Sequence, residues 1–269
     1  MSDWPDGYVT VNNFRLHYTR TGGDKPPLLL LHGITDQGLC WAEFARSLAA
    51  DYDVIMADAR GHGLSDGDGI ELSLDALVDD IAGLIRALDI APVHVIGHSM
   101  GGLTATWLAA YYPELVRSVV LEDPALTIYD RPLEDRLEWA ANSRKGAEAA
   151  RLKSRDEHIA TLRQQNPHWS ASEVENWADA RPNVRADTGS LMASTPKRPW
   201  RIVVAYVLCP ALLLCPGPAK GITGPDTVDE IISLVPSIQV ERFPGAGHCI
   251  RRDQPAQYER VVREFLARA

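Results

Sequence analysis

The stretch Val93-His94-Val95-Ile96-Gly97-His98-Ser99-Met100-Gly101 decides the fold class of this 269-residue chain. Its first four residues form a short, largely apolar run that is typical of a buried strand, and the apolar spacing after Gly101 predicts a helix. A serine on a sharp turn from a strand into a helix is the pattern of a nucleophile elbow. Such a turn leaves room only for very small side chains two residues before and after the serine, and Gly97 and Gly101 flank Ser99 in this way. The hydroxyl of Ser99 would then stand at a helix N-terminus, where N–H groups can stabilise an anion.

Similar short apolar runs recur along the chain on both sides of this turn. Helical spacing separates them, most clearly from Leu74 to Leu88, where Ser73 is a candidate N-cap. Buried strands that alternate with helices predict an α/β protein with a parallel sheet covered by helices. The predicted strands, of which the first two form an antiparallel hairpin, are 8–11, 14–18, 28–31, 54–57, 93–96, 116–121, 211–214 and 238–243.

The alternation of strands and helices is interrupted once, from residue 124 to residue 200. This segment has no buried-strand run, is rich in charge, tryptophan and proline, and is predicted to be helical. An insertion between two strands would cover the carboxyl edge of the sheet, where open α/β sheets bind ligands. We therefore expect a core made of residues 1–123 and 201–269 and a helical cap made of residues 124–200. The charges between residues 131 and 163 are expected to mark solvated helix faces rather than a binding patch.

Composition and charge exclude several classes of protein. A hydrophobic content of 45% and a charged content of 23% are typical of globular chains. A net charge of −9 argues against a nucleic-acid partner, because phosphate binding needs a basic surface. Apolar runs fall short of the roughly 18–20 residues of a membrane span, so we expect no membrane association, and the first seven residues lack the pattern of a secretory signal. The four cysteines show no paired spacing, which favours a reducing, cytoplasmic location without disulfides.

The chain resembles the α/β-hydrolase superfamily from about residue 8 to its C-terminus. Besides the elbow, three segments match the family's oxyanion-hole loop, its glycine-rich loop after the fourth strand and its catalytic-histidine loop. In that order they are Leu31-His32-Gly33-Ile34, Asp58-Ala59-Arg60-Gly61-His62-Gly63-Leu64-Ser65 and Pro244-Gly245-Ala246-Gly247-His248. The resemblance implies an α/β-hydrolase fold, with a mostly parallel central sheet, flanking helices and an inserted helical cap.

The same resemblance implies roles for the matching residues. Ser99 would be the nucleophile and His248 its general base, since a serine hydroxyl is barely ionised at neutral pH and needs an imidazole to take its proton. The backbone N–H groups of Ile34 and Met100 would hold the oxyanion. No pair of histidines has metal-ligand spacing, so we assign no metal and expect no cofactor.

The acid of the triad departs from the common family pattern. Most members carry an aspartate shortly after the strand predicted at 211–214, but the chain reads Cys215-Pro216-Gly217-Pro218-Ala219-Lys220 there. The next carboxylate, Asp226, begins a predicted helix and suits a capping role. The alternative is the end of strand 116–121, where certain lactone-hydrolysing enzymes and haloalkane dehalogenases keep their acid. Glu122 and Asp123 follow that strand and point to opposite faces, so only one can orient His248. We favour Asp123.

Four further residues are candidate substrate contacts: Thr35 and Asp36 after the oxyanion loop, His98 beside the nucleophile, and Trp139 in the cap. We expect a serine hydrolase, a monomer or homodimer, that cleaves a carboxylic ester or lactone of a small molecule through an acyl-enzyme. C–C bond hydrolysis and amide or peptide cleavage would use the same residues and stay open. A function of another class also stays open: a weakly catalytic member of the family that binds a small ligand. The reason is that no acidic residue stands at the usual position of the triad acid.

Overall fold

The computed structural model describes residues 4–185, 187–217 and 220–269. Two stretches interpreted above, the first seven residues and the loop 215–220, therefore lie partly outside the described residues. In the described part of the chain, no helix combines the length and the apolar character that a membrane crossing requires.

An eight-stranded sheet forms the centre of the molecule. Its strands are β1 (Asp6–Val11), β2 (Phe14–Arg20), β3 (Pro27–Leu31), β4 (Asp53–Ala57), β5 (Val93–His98), β6 (Val116–Glu122), β7 (Ala211–Pro216) and β8 (Gln239–Phe243). The order across the sheet is β1-β2-β4-β3-β5-β6-β7-β8. β1 pairs antiparallel with β2, and β2 with β4, whereas all other neighbours are parallel. The predicted hairpin and the six other predicted strands are confirmed.

Helices cover both faces of this sheet. They are α1 (Ala42–Leu48), α2 (Leu74–Ala87), α3 (Met100–Tyr111), α4 (Leu133–Arg151), α5 (Arg155–Gln165), α6 (Ala171–Ala180), α7 (Thr188–Ala193), α8 (Trp200–Val204), α9 (Pro225–Leu234), α10 (Ile250–Asp253) and α11 (Pro255–Leu266). The predicted N-cap of α2 is confirmed, because the Ser73 hydroxyl accepts a hydrogen bond from the Ala76 N–H.

The sheet separates two hydrophobic layers because successive side chains of a strand point to opposite faces. In β3, Leu29 and Leu31 pack into the layer under α2, α3 and α9, while Leu28 and Leu30 pack into the layer under α1 and α11. All four leucines are buried. A strand buried on both faces reads as a continuous apolar run, which explains why the sequence signal of β3 is strong.

Helices α4 to α8 occupy the chain between β6 and β7, and the described residues of that stretch contain no strand. α4 and α7 pack together, as do α5 and α6. α8 crosses the expected boundary between residues 200 and 201, and its Trp200, Val203 and Val204 pack into the layer that also contains α3. The last helix of the insertion is therefore continuous with the packing of the core.

Candidate active site

Ser99 lies on the sharp turn between β5 and α3. Its backbone has φ 54° and ψ −112°, a conformation that costs free energy and persists only where the surroundings enforce it. A Cβ on Gly97 would overlap the carbonyl group of Gly101, and a Cβ on Gly101 would overlap the carbonyl oxygen of Leu31. The Ser99 N–H donates a hydrogen bond of 3.0 Å to the carbonyl oxygen of Glu122 on the neighbouring strand. The two glycines and this bond hold Ser99 above the end of β5.

His248 follows β8 and binds the carboxylate of Asp123 at the end of β6. The distance between His248 Nδ1 and Asp123 Oδ2 is 2.6 Å, and Asp123 is fully buried. The backbone N–H groups of Ile222 and Thr223 donate to the same carboxylate, at 3.0 and 2.8 Å. A carboxylate at Nδ1 favours the tautomer with the proton on Nδ1, which leaves Nε2 unprotonated and able to act as a base.

The other two candidate acids lie elsewhere. Glu122 Oε1 accepts a hydrogen bond of 2.9 Å from the Arg251 N–H, and the Arg251 guanidinium lies 3.5 Å from its second oxygen. Burial raises the pKa of Glu122, while the charge of Arg251 opposes that rise. Asp226 lies in the first turn of α9, where a carboxylate stabilises the helix dipole. Of the three candidates, the structure brings Asp123 to His248.

His98 supports the backbone of His248. Its Nε2 lies 2.9 Å from the carbonyl oxygen of His248, and the two imidazole rings are 4.6 Å apart between centroids. Burial lowers the pKa of His98 well below its ordinary value, and the nearby His248 lowers it further. A neutral His98 that donates from Nε2 can hold the loop of His248 without competing with it for a proton.

The two residues with the predicted oxyanion amides, Ile34 and Met100, line the same pocket as Ser99. A Cβ on Gly33 would lie 3.6 Å from Ser99 Cβ, so the loop before Ile34 touches the elbow. The carbonyl oxygen of Ile34 is 3.0 Å from His62 Nε2, which orients that loop. Met100 is the first residue of α3, so its N–H has no acceptor within the helix. Neither amide donates a backbone hydrogen bond outside a helix or strand among the described residues, and both residues line the cavity next to Ser99.

A cavity of about 460 Å³ lies between the elbow and the helices α4 to α7. Ser99, His248, Ile34 and Met100 line it. The hydrogen bonds of Ser99 with described residues are made by its backbone. Contacts between a nucleophile and its base often tighten only in the substrate complex. The arrangement places a serine, an imidazole held by a carboxylate, and two free amides around one space.

Thr35, His98 and Trp139, three of the four predicted substrate contacts, line this cavity, and Trp139 is 38% exposed. Asp36 also lines it, but its buried carboxylate lies 3.2 Å from Arg252 Nη2. Arg252 in turn binds Glu173 of α6 at 2.8 Å. Asp36 therefore links the oxyanion loop to α6 through Arg252, and the charge of the Asp36 carboxylate is balanced by the Arg252 guanidinium.

The prediction that the charges between residues 131 and 163 mark solvated faces is wrong for Arg136. Arg136 is 8% exposed and lines the cavity together with Arg131. It is buried because α7 packs on α4 and because the guanidinium binds carbonyl groups at the end of α7. The helical periodicity of α4 carries no signal for this burial, since its apolar residues form no continuous stripe.

Asp253 is a second residue that the sequence analysis missed. One of its oxygens accepts a hydrogen bond of 2.6 Å from the Gly247 N–H, next to His248. The other lies 2.7 Å from Trp169 Nε1 and 2.8 Å from His168 Nε2. Burial alone would raise the pKa of Asp253, but the hydrogen bonds from Trp169, His168 and Gly247 lower it below its ordinary value. Asp253 thus connects the histidine loop to the segment between α5 and α6.

Cys249 also lines the cavity, and burial raises the pKa of its thiol to about 12. A thiol with that pKa is protonated at neutral pH and is a poor nucleophile. Within residues 4–185, 187–217 and 220–269, no group of three or more His, Cys, Asp or Glu side chains is arranged to hold a metal ion.

Comparisons with known proteins point to one family. The family model described as alpha/beta hydrolase fold matches residues 26–251. N-formylmaleamate deformylase of Pseudomonas putida is 29% identical over 280 residues, which cover 97% of this chain and 96% of that protein. The 2-(acetamidomethylene)succinate hydrolase of Mesorhizobium japonicum is 38% identical over 117 residues, 44% of this chain and 40% of that one. The crystal structure of a serine-to-alanine variant of an N-formylmaleamic acid deformylase from a Pseudomonas putida strain superimposes with a TM-score of 0.76 at 25% identity, covering 96% of this chain and all of the other.

Proposed function

The chain belongs to the α/β-hydrolase fold family, and we propose that it is a serine hydrolase that cleaves an ester or an acyl amide of a small molecule through an acyl-enzyme. The observation that carries the proposal is the 2.6 Å contact between Nδ1 of His248 and Oδ2 of the buried Asp123, because His248 and Ser99 line the same cavity. Ser99 is the nucleophile, His248 the general base and Asp123 the residue that orients it.

In the first half of the reaction, Ser99 Oγ attacks the carbonyl carbon of the substrate while His248 Nε2 takes the hydroxyl proton. The negative charge that develops on the carbonyl oxygen is stabilised by the N–H groups of Ile34 and Met100. Collapse of the tetrahedral intermediate breaks the bond to the leaving group, which receives the proton from His248. An acyl group then remains on Ser99.

In the second half, His248 takes a proton from water, and the resulting hydroxide attacks the acyl carbon. The same amides hold the second oxyanion, and Ser99 leaves with the proton that His248 returns. Asp123 stabilises the imidazolium in both halves, and the three hydrogen bonds that converge on its carboxylate hold it in position. Apart from the substrate and one water molecule, these steps use only groups of this chain.

The names of two relatives are the reason to propose amide cleavage rather than ester or lactone cleavage. The names N-formylmaleamate deformylase and 2-(acetamidomethylene)succinate hydrolase both describe a substrate with an acyl group on nitrogen. The first of these relatives matches this chain over nearly its full length. We therefore propose an N-acyl amide as the physiological bond, and an activated ester as a convenient assay substrate that needs the same serine and histidine.

The test is modification with a fluorophosphonate probe, followed by peptide mapping, together with assays on 4-nitrophenyl acetate and on a panel of N-formyl and N-acetyl amides. We expect one adduct, on the Ser99 peptide, and loss of turnover in Ser99→Ala. Ser143→Ala in α4 serves as the control, because the Ser143 hydroxyl forms a hydrogen bond with the Thr188 hydroxyl, away from the elbow. Equal turnover by the unchanged protein and Ser99→Ala on every substrate would overturn the proposal and leave the ligand-binding alternative.

A further inference from the structure

Arg136 is the feature of the cavity that the proposed chemistry does not use. It lies near the start of α4, is 8% exposed and lines the same cavity as Ser99. A guanidinium keeps its charge at any physiological pH, and a buried cation is costly unless an anion or several acceptors compensate it. In the described part of the chain, no carboxylate forms a salt bridge with Arg136. Its hydrogen-bond partners are two carbonyl groups, and its guanidinium lies 5.7 Å from the centre of the Tyr129 ring.

The hydrogen bonds of Arg136 use one side of the guanidinium. Nη1 donates to the carbonyl oxygens of Met192 and Ser194, at 3.1 and 2.7 Å. These carbonyls lie at the C-terminal end of α7, where a positive charge is favourable. Nε is buried and has no hydrogen-bond partner among the described residues. Both hydrogen bonds of the guanidinium come from Nη1, and Nη2 makes none with a described residue. No described residue therefore occupies the edge formed by Nε and Nη2.

This same edge holds carboxylates elsewhere in the molecule. Arg60 donates from Nε and Nη2 to the two oxygens of Asp80, at 2.5 and 2.6 Å. Arg155 donates from Nε and Nη2 to Asp179, at 2.6 and 3.3 Å. Two parallel N–H···O bonds of this kind match the geometry of a carboxylate. Arg136 lines the cavity, and its Nε and Nη2 have no such partner among the described residues.

The charge balance of the cavity also favours an anionic ligand. Three arginines line it, and one of them, Arg252, is neutralised by Asp36 and Glu173. Arg131 is exposed and, like Arg136, forms no salt bridge with a described residue. Two of the three positive charges that line the cavity therefore lack a negative partner within the described ranges.

We infer that Arg136 and Arg131 form a carboxylate-binding subsite, so that the substrate of the proposed hydrolase carries a free carboxylate in addition to the bond that is cleaved. That the bound molecule is a substrate rests on the proposed function, but binding of a carboxylate by the two arginines does not. Arg136 supplies two parallel hydrogen bonds, and Arg131 adds charge at the exposed side. Specificity for an acidic substrate would then reside in α4 and the turn before it.

The test measures binding in a Ser99→Ala background, where turnover does not interfere. Calorimetric titration with glutarate and with the uncharged glutaramide separates recognition of the carboxylate from recognition of the carbon chain. We expect Arg136→Gln to weaken glutarate binding about 10- to 100-fold, the effect of losing hydrogen bonds to a charged group, and to leave glutaramide binding unchanged. Arg131→Gln should show a smaller loss with the same selectivity.

Arg144→Gln is the matched control, since Arg144 lies on the same helix and pairs with Asp187 at its exposed side. It removes the same charge and should leave glutarate binding unchanged. If Arg136→Gln does not fold, Arg136→Lys decides: it keeps the charge but not the two parallel donors, and should still weaken glutarate binding about tenfold relative to glutaramide.

Equal losses for glutarate and glutaramide, or no binding of glutarate to the Ser99→Ala protein, would overturn the subsite. Turnover of mono-4-nitrophenyl glutarate and 4-nitrophenyl butyrate separates this failure from failure of the proposed function. Turnover of the neutral ester that depends on Ser99, without a preference for the acidic ester, would leave the hydrolase and remove the subsite. Glutarate binding that depends on Arg136, without any turnover that depends on Ser99, would keep the subsite and remove the proposed hydrolase activity.

Discussion

The Oδ2 atom of Asp123 lies 2.6 Å from Nδ1 of His248, although 125 positions separate the two residues in the chain. Asp123 follows β6 and His248 follows β8, while β7 lies between these strands in the sheet. The loop after β7 contributes the N–H groups of Ile222 and Thr223 to the same carboxylate. Many members of the superfamily carry the acid in the loop after β7. In this chain that loop instead donates backbone hydrogen bonds to an acid that follows the neighbouring strand, β6.

Replacement of Asp123 should have the largest effect of any carboxylate in this region. We expect Asp123→Asn to lower kcat on 4-nitrophenyl acetate by about 10³- to 10⁴-fold, because an amide favours the wrong tautomer of His248 and does not stabilise the imidazolium. Asp226→Asn is the control and should leave kcat near that of the unchanged protein. Steady-state kinetics of both variants would show the assignment to be wrong if Asp226→Asn lost more activity.

The elbow should not accept a methyl group. In Gly101→Ala, the new Cβ would overlap the Leu31 carbonyl oxygen. We therefore expect the free energy of unfolding to fall by about 1–3 kcal/mol or more. Gly146→Ala offers a control, because Gly146 lies in α4 with no atom within 4 Å of the added Cβ. That change should stabilise the protein by about 0.5–1 kcal/mol. Urea denaturation measures both, and similar effects of the two substitutions would contradict the close packing of the elbow.

His94 should make stability depend on pH. Burial, with a smaller effect of Arg117, lowers its pKa to about 4. The unfolded chain binds a proton at this imidazole below about pH 6.5, whereas the folded protein binds it only near pH 4. The stability due to neutral His94 is therefore complete above about pH 6.5 and declines as the pH falls from there toward 4.

The variant His94→Gln tests this dependence, because glutamine does not titrate and can keep a hydrogen bond to Ser118, which lies 2.7 Å from His94 Nδ1. Between about pH 7.5 and about pH 5, the unchanged protein should lose about 2 kcal/mol more unfolding free energy than the variant. Urea denaturation at both pH values gives the comparison. Parallel losses would mean that the proton affinity of His94 is the same in the folded and unfolded states.

Asp253 should couple the cap segment to the histidine loop. Trp169→Phe keeps an aromatic ring but removes the N–H that donates to Asp253 Oδ1, and Asp253→Asn weakens the bonds to both Trp169 and Gly247. We expect each change to lower kcat/KM by about tenfold, the effect of one hydrogen bond to a charged group. In a double-mutant cycle the two effects should not add, because both variants break the same contact. Full additivity would show that the contact does not act on His248.

The strands and the elbow were predictable because their signals are local. A run such as 28–31 is apolar because its residues are buried on both faces, and the Gly97 and Gly101 positions follow from atoms within a few residues of Ser99 or on the adjacent strand. The alternation of side chains along a strand also predicts that Glu122 and Asp123 point to opposite faces of the sheet. Arg136 is different. Its burial depends on where α7 packs, and an arginine on a charged helix looks the same in sequence whether it is solvated or not.

The sequence by itself determined the order of strands and helices, the position of the insertion and the identity of Ser99 at the elbow, because apolar periodicity and turn chemistry act between near neighbours. Only the tertiary structure decided which carboxylate meets His248, which loop amides hold that carboxylate, and which arginines line the cavity. These relationships join residues more than 50 positions apart. They arise because parallel strands deliver their loops to one edge of the sheet, where hydrogen bonds between distant loops select one arrangement.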